Sequence, residues 1–158
     1  MSATPMSATL RRAWSADLDP PLLYGMLRLR VDVFVVEQSC PYAELDGRDL
    51  EPGTRHFWLA SDDPSDQILG YLRLIEESDG TFRIGRVCTA RPARGNGFSR
   101  RLVQAALADV GDAACVLDAQ SYLVGFYTSF GFAADGAEFI LDGIPHVPMR
   151  RTARRQSA

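Results

Sequence analysis

The spacing of apolar positions changes along the chain, and each change marks an element. Residues 10–14 alternate only weakly and predict a short first strand. From there Leu22, Leu23, Met26, Leu27, Leu29, Val33 and Phe34 recur at roughly helical spacing. Asp19 before Pro20 and Pro21 is a suitable start, so a first helix is predicted through about residue 35. The polar run 37–53, with Pro41, Gly47, Pro52 and Gly53, reads as a long loop, and loops of that length in compact domains tend to be functional. Three strands follow at 54–60, 68–75 and 81–89, joined by short turns at 62–66 and 78–80 and therefore antiparallel.

Helical spacing returns over 97–110 through Phe98, Leu102, Ala105 and Ala106. Residues 114–119 predict a buried strand, 122–130 a helix stopped at Gly131, and 132–141 with 146–151 two closing strands around Asp142-Gly143. The order β-α-β-β-β-α-β-α-β-β is that of a mixed α/β sheet with helices packed on it, and no repeat or linker divides it. One domain is expected over residues 9–151, between a disordered tail at 1–8 and a flexible basic tail at 152–158.

Composition narrows the classes. The chain has 158 residues, 46% of them apolar, enough for one core. No apolar run has the length of a membrane span and the start lacks a secretory pattern, so the expectation is a cytoplasmic protein without a membrane partner. Cys40, Cys88 and Cys115 are odd in number and widely spaced, and His56 and His146 stand far apart, which predicts neither disulfides nor a metal. All 17 basic residues are arginine, against a net charge of −3. That bias fits a GC-rich coding preference. The terminal cluster Arg150, Arg151, Arg154 and Arg155 reads as a solvated tail, with no nucleic-acid partner.

Candidate chemistry centres on Arg91-Pro92-Ala93-Arg94-Gly95-Asn96-Gly97-Phe98-Ser99-Arg100-Arg101, between a strand and a helix. The first amides of a helix lack internal partners and carry the positive end of its dipole, which suits them to a phosphate group. Gly95 and Gly97 let the backbone bend and approach a ligand. Arg91, Arg94, Arg100 and Arg101 add positive charge. No Gly-Lys-Ser/Thr follows, and Arg100 occupies the third glycine of GxGxxG, so neither nucleotide motif fits. Spacing alone leaves open both a phosphorylated-cofactor site and a plain glycine turn with its cap.

Arg94-x-x-Gly97-x-Ser99 resembles the Arg/Gln-x-x-Gly-x-Gly/Ala signature of the GNAT N-acetyltransferases, with Ser99 departing from Gly or Ala. The predicted element order is similar to the GNAT fold as well. Three further stretches resemble the ElaA-like branch over roughly residues 20–150: Arg30-x-x-Val33-Phe34-Val35-Val36-Glu37-Gln38-x-Cys40-Pro41-Tyr42, Asp46-Gly47-x-Asp49, and Asp142-Gly143-Ile144-Pro145-His146. The resemblance implies a mixed, mostly antiparallel twisted sheet of about six to seven strands with helices on both faces. It also implies an acetyl-CoA-dependent N-acetyltransferase acting on a small-molecule or peptide amine, as monomer or homodimer.

By that resemblance Arg94, Gly95, Asn96, Gly97, Phe98, Ser99 and Arg100 hold the pyrophosphate of acetyl-CoA, and backbone near Val87, Cys88 and Thr89 holds its pantetheine. Gln120 stands where an asparagine is commoner, and Tyr127 where the family keeps the tyrosine that protonates the departing thiolate. A phenol suits that role because it stays protonated at neutral pH. Transfer would be direct, leaving Cys88 as a small buried residue. The acceptor ammonium needs a base. Glu37 is the first candidate, with Glu44, Asp46, Asp49 and His56 near the acceptor loop and His146 reaching from the closing strands. Arg30 and Arg86 are candidates to hold Glu37 or a substrate carboxylate, or to form structural salt bridges. Two alternatives to acetyl transfer are a non-catalytic acyl-CoA-binding module and an acyltransferase for longer chains.

Overall fold

A computed structural model of the chain describes residues 5–154. The strands are β1 (Ala8–Trp14), β2 (Thr54–Ser61), β3 (Ile68–Glu76), β4 (Phe82–Thr89), β5 (Cys115–Gln120), β6 (Ala133–Ala134), β7 (Phe139–Leu141) and β8 (Ile144–Arg151). The helices are α1 (Pro20–Val31), α2 (Phe98–Val110) and the short α3 (Val124–Thr128). All eight strands join one sheet in the order β1-β2-β3-β4-β5-β8-β6, with β7 also on β8. Every pairing is antiparallel except β4 with β5. This is the mixed, mostly antiparallel sheet that the element order implies.

Adjacent residues of a strand point to opposite faces, and β3 shows what covers each. The Arg30 guanidinium of α1 lies over the Tyr71 ring, 5.4 Å from its centroid. A Cβ at Gly70 would stand 3.2 Å from Leu102 Cδ1 of α2. Helices therefore cover both faces. The α2 face is apolar: Leu102, Val103, Ala106 and Val110 form the helix stripe and pack with buried Phe57, Leu72, Leu74 and Ile84 of the sheet. Each such large side chain, once buried, contributes about 1.5–3 kcal/mol. The α1 face instead buries His56, Arg73 and Arg30, and its polar groups must satisfy one another.

Three expectations need correction. Asp19 does cap α1, accepting from Leu22 N at 2.8 Å, but the regular helix stops at Val31 and a π-helical turn, Asp32–Glu37, replaces its last turns. The run 132–141 is two short strands, because Gly136 at φ 154° breaks the extended path and Asp135 N donates to Pro148 O at 2.7 Å; this makes the sheet one strand larger than expected. Ala8 already belongs to β1, so the sheet begins within the stretch expected as a tail. Residues 1–4 of that tail, and the basic end from Arg155, lie outside the described residues.

β4 and β5 determine where a site can form. They pair only at Phe82–Cys115 and Arg83–Val116, and then separate. Between the pairs Tyr71–Cys88 and Arg73–Gly85, β4 has one more residue than β3, and Arg86 within this bulge has φ 54°. A bulge bends and twists its strand, so β4 leaves β5 with its backbone edge unpaired.

Candidate active site

The cleft opened by this separation has a volume of about 720 Å³, within the ~300–1,000 Å³ range of small-molecule sites. Its walls come from the π-helical turn after α1 and the start of the following loop, β3, β4, the glycine loop, β5, α3 and the β7–β8 hairpin. Val87, Cys88 and Thr89 lie on the unpaired part of β4 and line it. Cys88 is buried, and burial pushes its thiol up to about 12, which leaves it inert as a nucleophile.

Gly95 at φ 84° and Gly97 at φ 72° turn the chain into α2. A Cβ at either position would meet nothing within 4 Å, so glycine is needed here for the left-handed backbone and not for space. Gly97 is the N-cap and offers no side-chain acceptor. Among the described residues the backbone amides of 95–100 find no acceptor, at the positive end of a helix that borders the cleft. Asn96 Nδ2 donates to Ala93 O at 2.8 Å, bracing the loop. Ser99 Oγ pairs with Thr89 Oγ1 at 3.0 Å, which ties the start of α2 to the end of β4.

Charge around this loop is already partly paired. Arg94 bonds Glu37 at 2.5 Å and Thr89 O at 3.3 Å, and Arg91 lies 4.0 Å from Glu37. The Arg94 hydrogen bond holds the Glu37 carboxyl below its usual range, making it a weak proton acceptor. Glu37 thus sits across the loop as an ion-pair partner. Arg100 lies over the Phe126 and Phe130 rings, 5.5 and 4.9 Å from their centroids.

On the opposite wall Gln120 ends β5, and Tyr127 of α3 is buried edge-on against Phe126 and Phe132. The Tyr127 hydroxyl has no hydrogen-bond partner among the described residues, although the side chain lines the cleft. Burial raises its pKa, so the phenol keeps its proton. His146 of β8 stands opposite Gln120 and also lines the cleft.

The other predicted acceptor residues form a buried charge network. Arg30 is fully buried and bonds Asp49 at 2.5 Å and Glu44 at 3.2 Å. Arg86 bonds Glu44 at 2.6 Å and Asp46 at 3.4 Å. Arg73 bonds Asp46 at 2.9 Å and Asp49 at 3.2 Å. Arg30 therefore reaches neither Glu37 nor the cleft, so its expected substrate-binding role gives way to the alternative of a structural salt bridge, because its helix position points it at the α1 face of the sheet. Arg86 does line the cleft, beside Tyr42. Burial alone would raise the Asp46 and Asp49 carboxyls, but hydrogen bonds and charge from Arg73 and Arg30 hold both low.

His56 also falls outside the site. Its Nδ1 meets the Tyr71 hydroxyl at 2.6 Å, and its Nε2 meets Asp49 O and Ser15 Oγ, both at 3.0 Å. Burial lowers its pKa, so it is a neutral core histidine under the acceptor loop. Arg73 went unremarked in the sequence. Its signal was a charged residue inside the apolar run Leu72-Arg73-Leu74, a position that requires a buried partner. Among the described residues no group of three or more His, Cys, Asp or Glu side chains is placed to hold a metal ion, and no helix is long and apolar enough to cross a membrane.

Known proteins share these features of sequence and fold. The family model of the acetyltransferase (GNAT) domain matches residues 28–153. A UPF0039 protein of Mycobacterium tuberculosis is 57% identical over 154 residues, covering 96% of this chain and 97% of its own length. ElaA of Escherichia coli is 36% identical over 144 residues, 86% of this chain and 91% of its own. Its crystal structure aligns with a TM-score of 0.85 at 33% identity, over 92% of this chain and 99% of that one. The crystal structure of an acyl-CoA N-acyltransferase from Pseudomonas aeruginosa also gives 0.85, at 40% identity, over 92% of this chain and 100% of that one.

Proposed function

The chain belongs to the GNAT acetyltransferase family, in the company of ElaA and the UPF0039 proteins, and from this premise we propose that it transfers an acetyl group from acetyl-CoA directly to a primary amine. The observation that carries the reading is the convergence on one cleft of three unsatisfied groups: the amides of 95–100, the unpaired edge of β4 and the Tyr127 hydroxyl. These donors and acceptors reach the cleft without a protein partner, and an acyl-CoA offers each one. The diphosphate matches the helix N-terminus, the pantetheine amides match a strand edge, and the thioester sulfur matches a proton donor.

Bound acetyl-CoA supplies an acetyl thioester, an activated carbonyl with a thiol leaving group. The protein's contributions are positional and electrostatic. Amides of 95–100, with Arg94 and Arg100 beside them, hold the diphosphate; the Glu37 pair keeps Arg94 at the loop. Backbone at Val87, Cys88 and Thr89 aligns the pantetheine, and an N–H of this edge polarises the carbonyl oxygen. Gln120 closes the β5 side. Tyr127 donates to the departing sulfur, which its raised pKa permits across the working range.

Arg86 and His146 border the acceptor end, where a small-molecule or peptide amine enters. The catalytic unit is β1 through β8, acting in the cytoplasm as monomer or homodimer without metal, membrane or nucleic acid. The test is acetyl-CoA turnover by the purified protein with phenethylamine, lysine methyl ester and a free-amine tripeptide. CoA thiol released in equal amount to acetylated amine supports the reading. Thiol release without amide product, or no release with any amine, contradicts it.

A further inference from the structure

We propose that His146 is the catalytic base, its Nε2 taking the proton from the acceptor ammonium; the proposal rests on the amine-acetylating reading of the cleft. His146 Nδ1 lies 2.7 Å from Ile144 O. A carbonyl only accepts, so Nδ1 must carry the hydrogen. In the neutral ring this leaves Nε2 as a lone-pair acceptor. The Phe139 ring stacks on the imidazole, with centroids 5.8 Å apart and planes at 28°, holding its orientation. The β5–β8 register sets His146 opposite Gln120, on the cleft that Tyr127 also lines.

The other candidates are engaged elsewhere. Glu37, Glu44, Asp46 and Asp49 each face one or more arginines, and both ring nitrogens of His56 are bonded in the core. Around His146 the cleft carries Asp118 of β5, Tyr122 and Tyr127 from the segment after it, Asp142 of the β7–β8 turn, and Arg83 and Arg86 of β4. Asp118 keeps only a loose contact to Arg83, 3.7 Å, so carboxylate charge remains to draw in a cationic amine.

In the step, an N–H bond of the acceptor ammonium breaks, its electron pair stays on nitrogen and becomes the nucleophile, and the proton bonds to Nε2. His146 then releases that proton to solvent. The second proton that nitrogen loses on forming the amide balances the one Tyr127 gives to sulfur. Imidazole suits the task because one ring nitrogen can be fixed by a hydrogen bond while the other offers its lone pair.

His146→Asn keeps a donor where Nδ1–H stands and removes Nε2. With the same three amines, kcat is expected to fall about 100-fold, with acetyl-CoA affinity by calorimetry unchanged and the acidic limb of the kcat/KM–pH profile abolished. Free imidazole should restore turnover to His146→Gly. Wild-type rates and an intact acidic limb in His146→Asn overturn the base assignment alone, whereas no product from the unmodified enzyme overturns the underlying reading and the base together. Nitrogen NMR of the unmodified protein gives a check independent of folding in the variants: a neutral His146 protonated on Nδ1 is expected, and one protonated on Nε2 contradicts the proposal.

Discussion

Replacing Arg30 with alanine is expected to destabilise the protein by about 3–5 kcal/mol, the cost of stranding buried carboxylates without their partner. Arg30 is fully buried and serves Asp49 and Glu44 at once, while Arg86 and Arg73 continue the network to Asp46. Both carboxylates that remain are themselves nearly buried, so water cannot replace the lost guanidinium. Urea unfolding should show a lower midpoint at an unchanged slope. Removing a carboxylate as well, in Arg30→Met with Asp49→Leu, should recover part of the loss, because an apolar pair of similar size carries no stranded charge. The sign of the pH dependence follows from the depressed Asp46 and Asp49 carboxyls. Their contribution is complete above the ordinary carboxylate value of about 4 and is lost as pH falls through their lower folded values. The unmodified protein should therefore lose stability below about pH 4, and Arg30→Ala should lose less there. An unchanged midpoint in Arg30→Ala would mean that the network does not hold the acceptor loop to the sheet.

Tyr127→Phe is expected to slow the chemical step about 100-fold or more while leaving acetyl-CoA affinity intact. The substitution removes one oxygen and no packing: the ring keeps its edge contacts to Phe126 and Phe132. Because no protein group among the described residues bonds the hydroxyl, its loss strands no partner, and stability should hold. Single-turnover measurement isolates the step from product release. An unaltered single-turnover rate at every pH would remove Tyr127 from the mechanism and leave the sulfur to depart unassisted.

What the sequence made legible was local. Gly95 and Gly97 declared a turn into a helix because left-handed backbone favours glycine, and Asp142-Gly143 declared a tight hairpin for the same reason; both residues do have positive φ. The turns at 62–66 and 78–80 bounded β2, β3 and β4 nearly to the residue. What stayed hidden depended on partners distant in the chain. Glu37 looked like a base because nothing near it in sequence shows Arg94 closing on it. Arg30 looked like a site residue because its motif is distinctive, and His56 because it stands next to the acceptor loop, yet both belong to a buried network that shapes that loop from below. The π-helical turn was invisible as well, since Val33-Phe34-Val35-Val36 is apolar in any helical register. His146 gained weight only once the β5–β8 register and its bond to Ile144 O were known.

Calorimetric titration of acetyl-CoA into the purified protein and into Gly97→Trp tests the central claim most directly, with free CoA and a long-chain acyl-CoA as further ligands. Tryptophan at φ 72° strains the left-handed backbone and so must distort the loop that presents the amides of 95–100. The account predicts binding of acetyl-CoA and free CoA, weakened at least about tenfold, or roughly 1.4 kcal/mol, in the variant. Acetyl-CoA that fails to bind, that binds Gly97→Trp undiminished, or that is outcompeted by the long-chain form would contradict it.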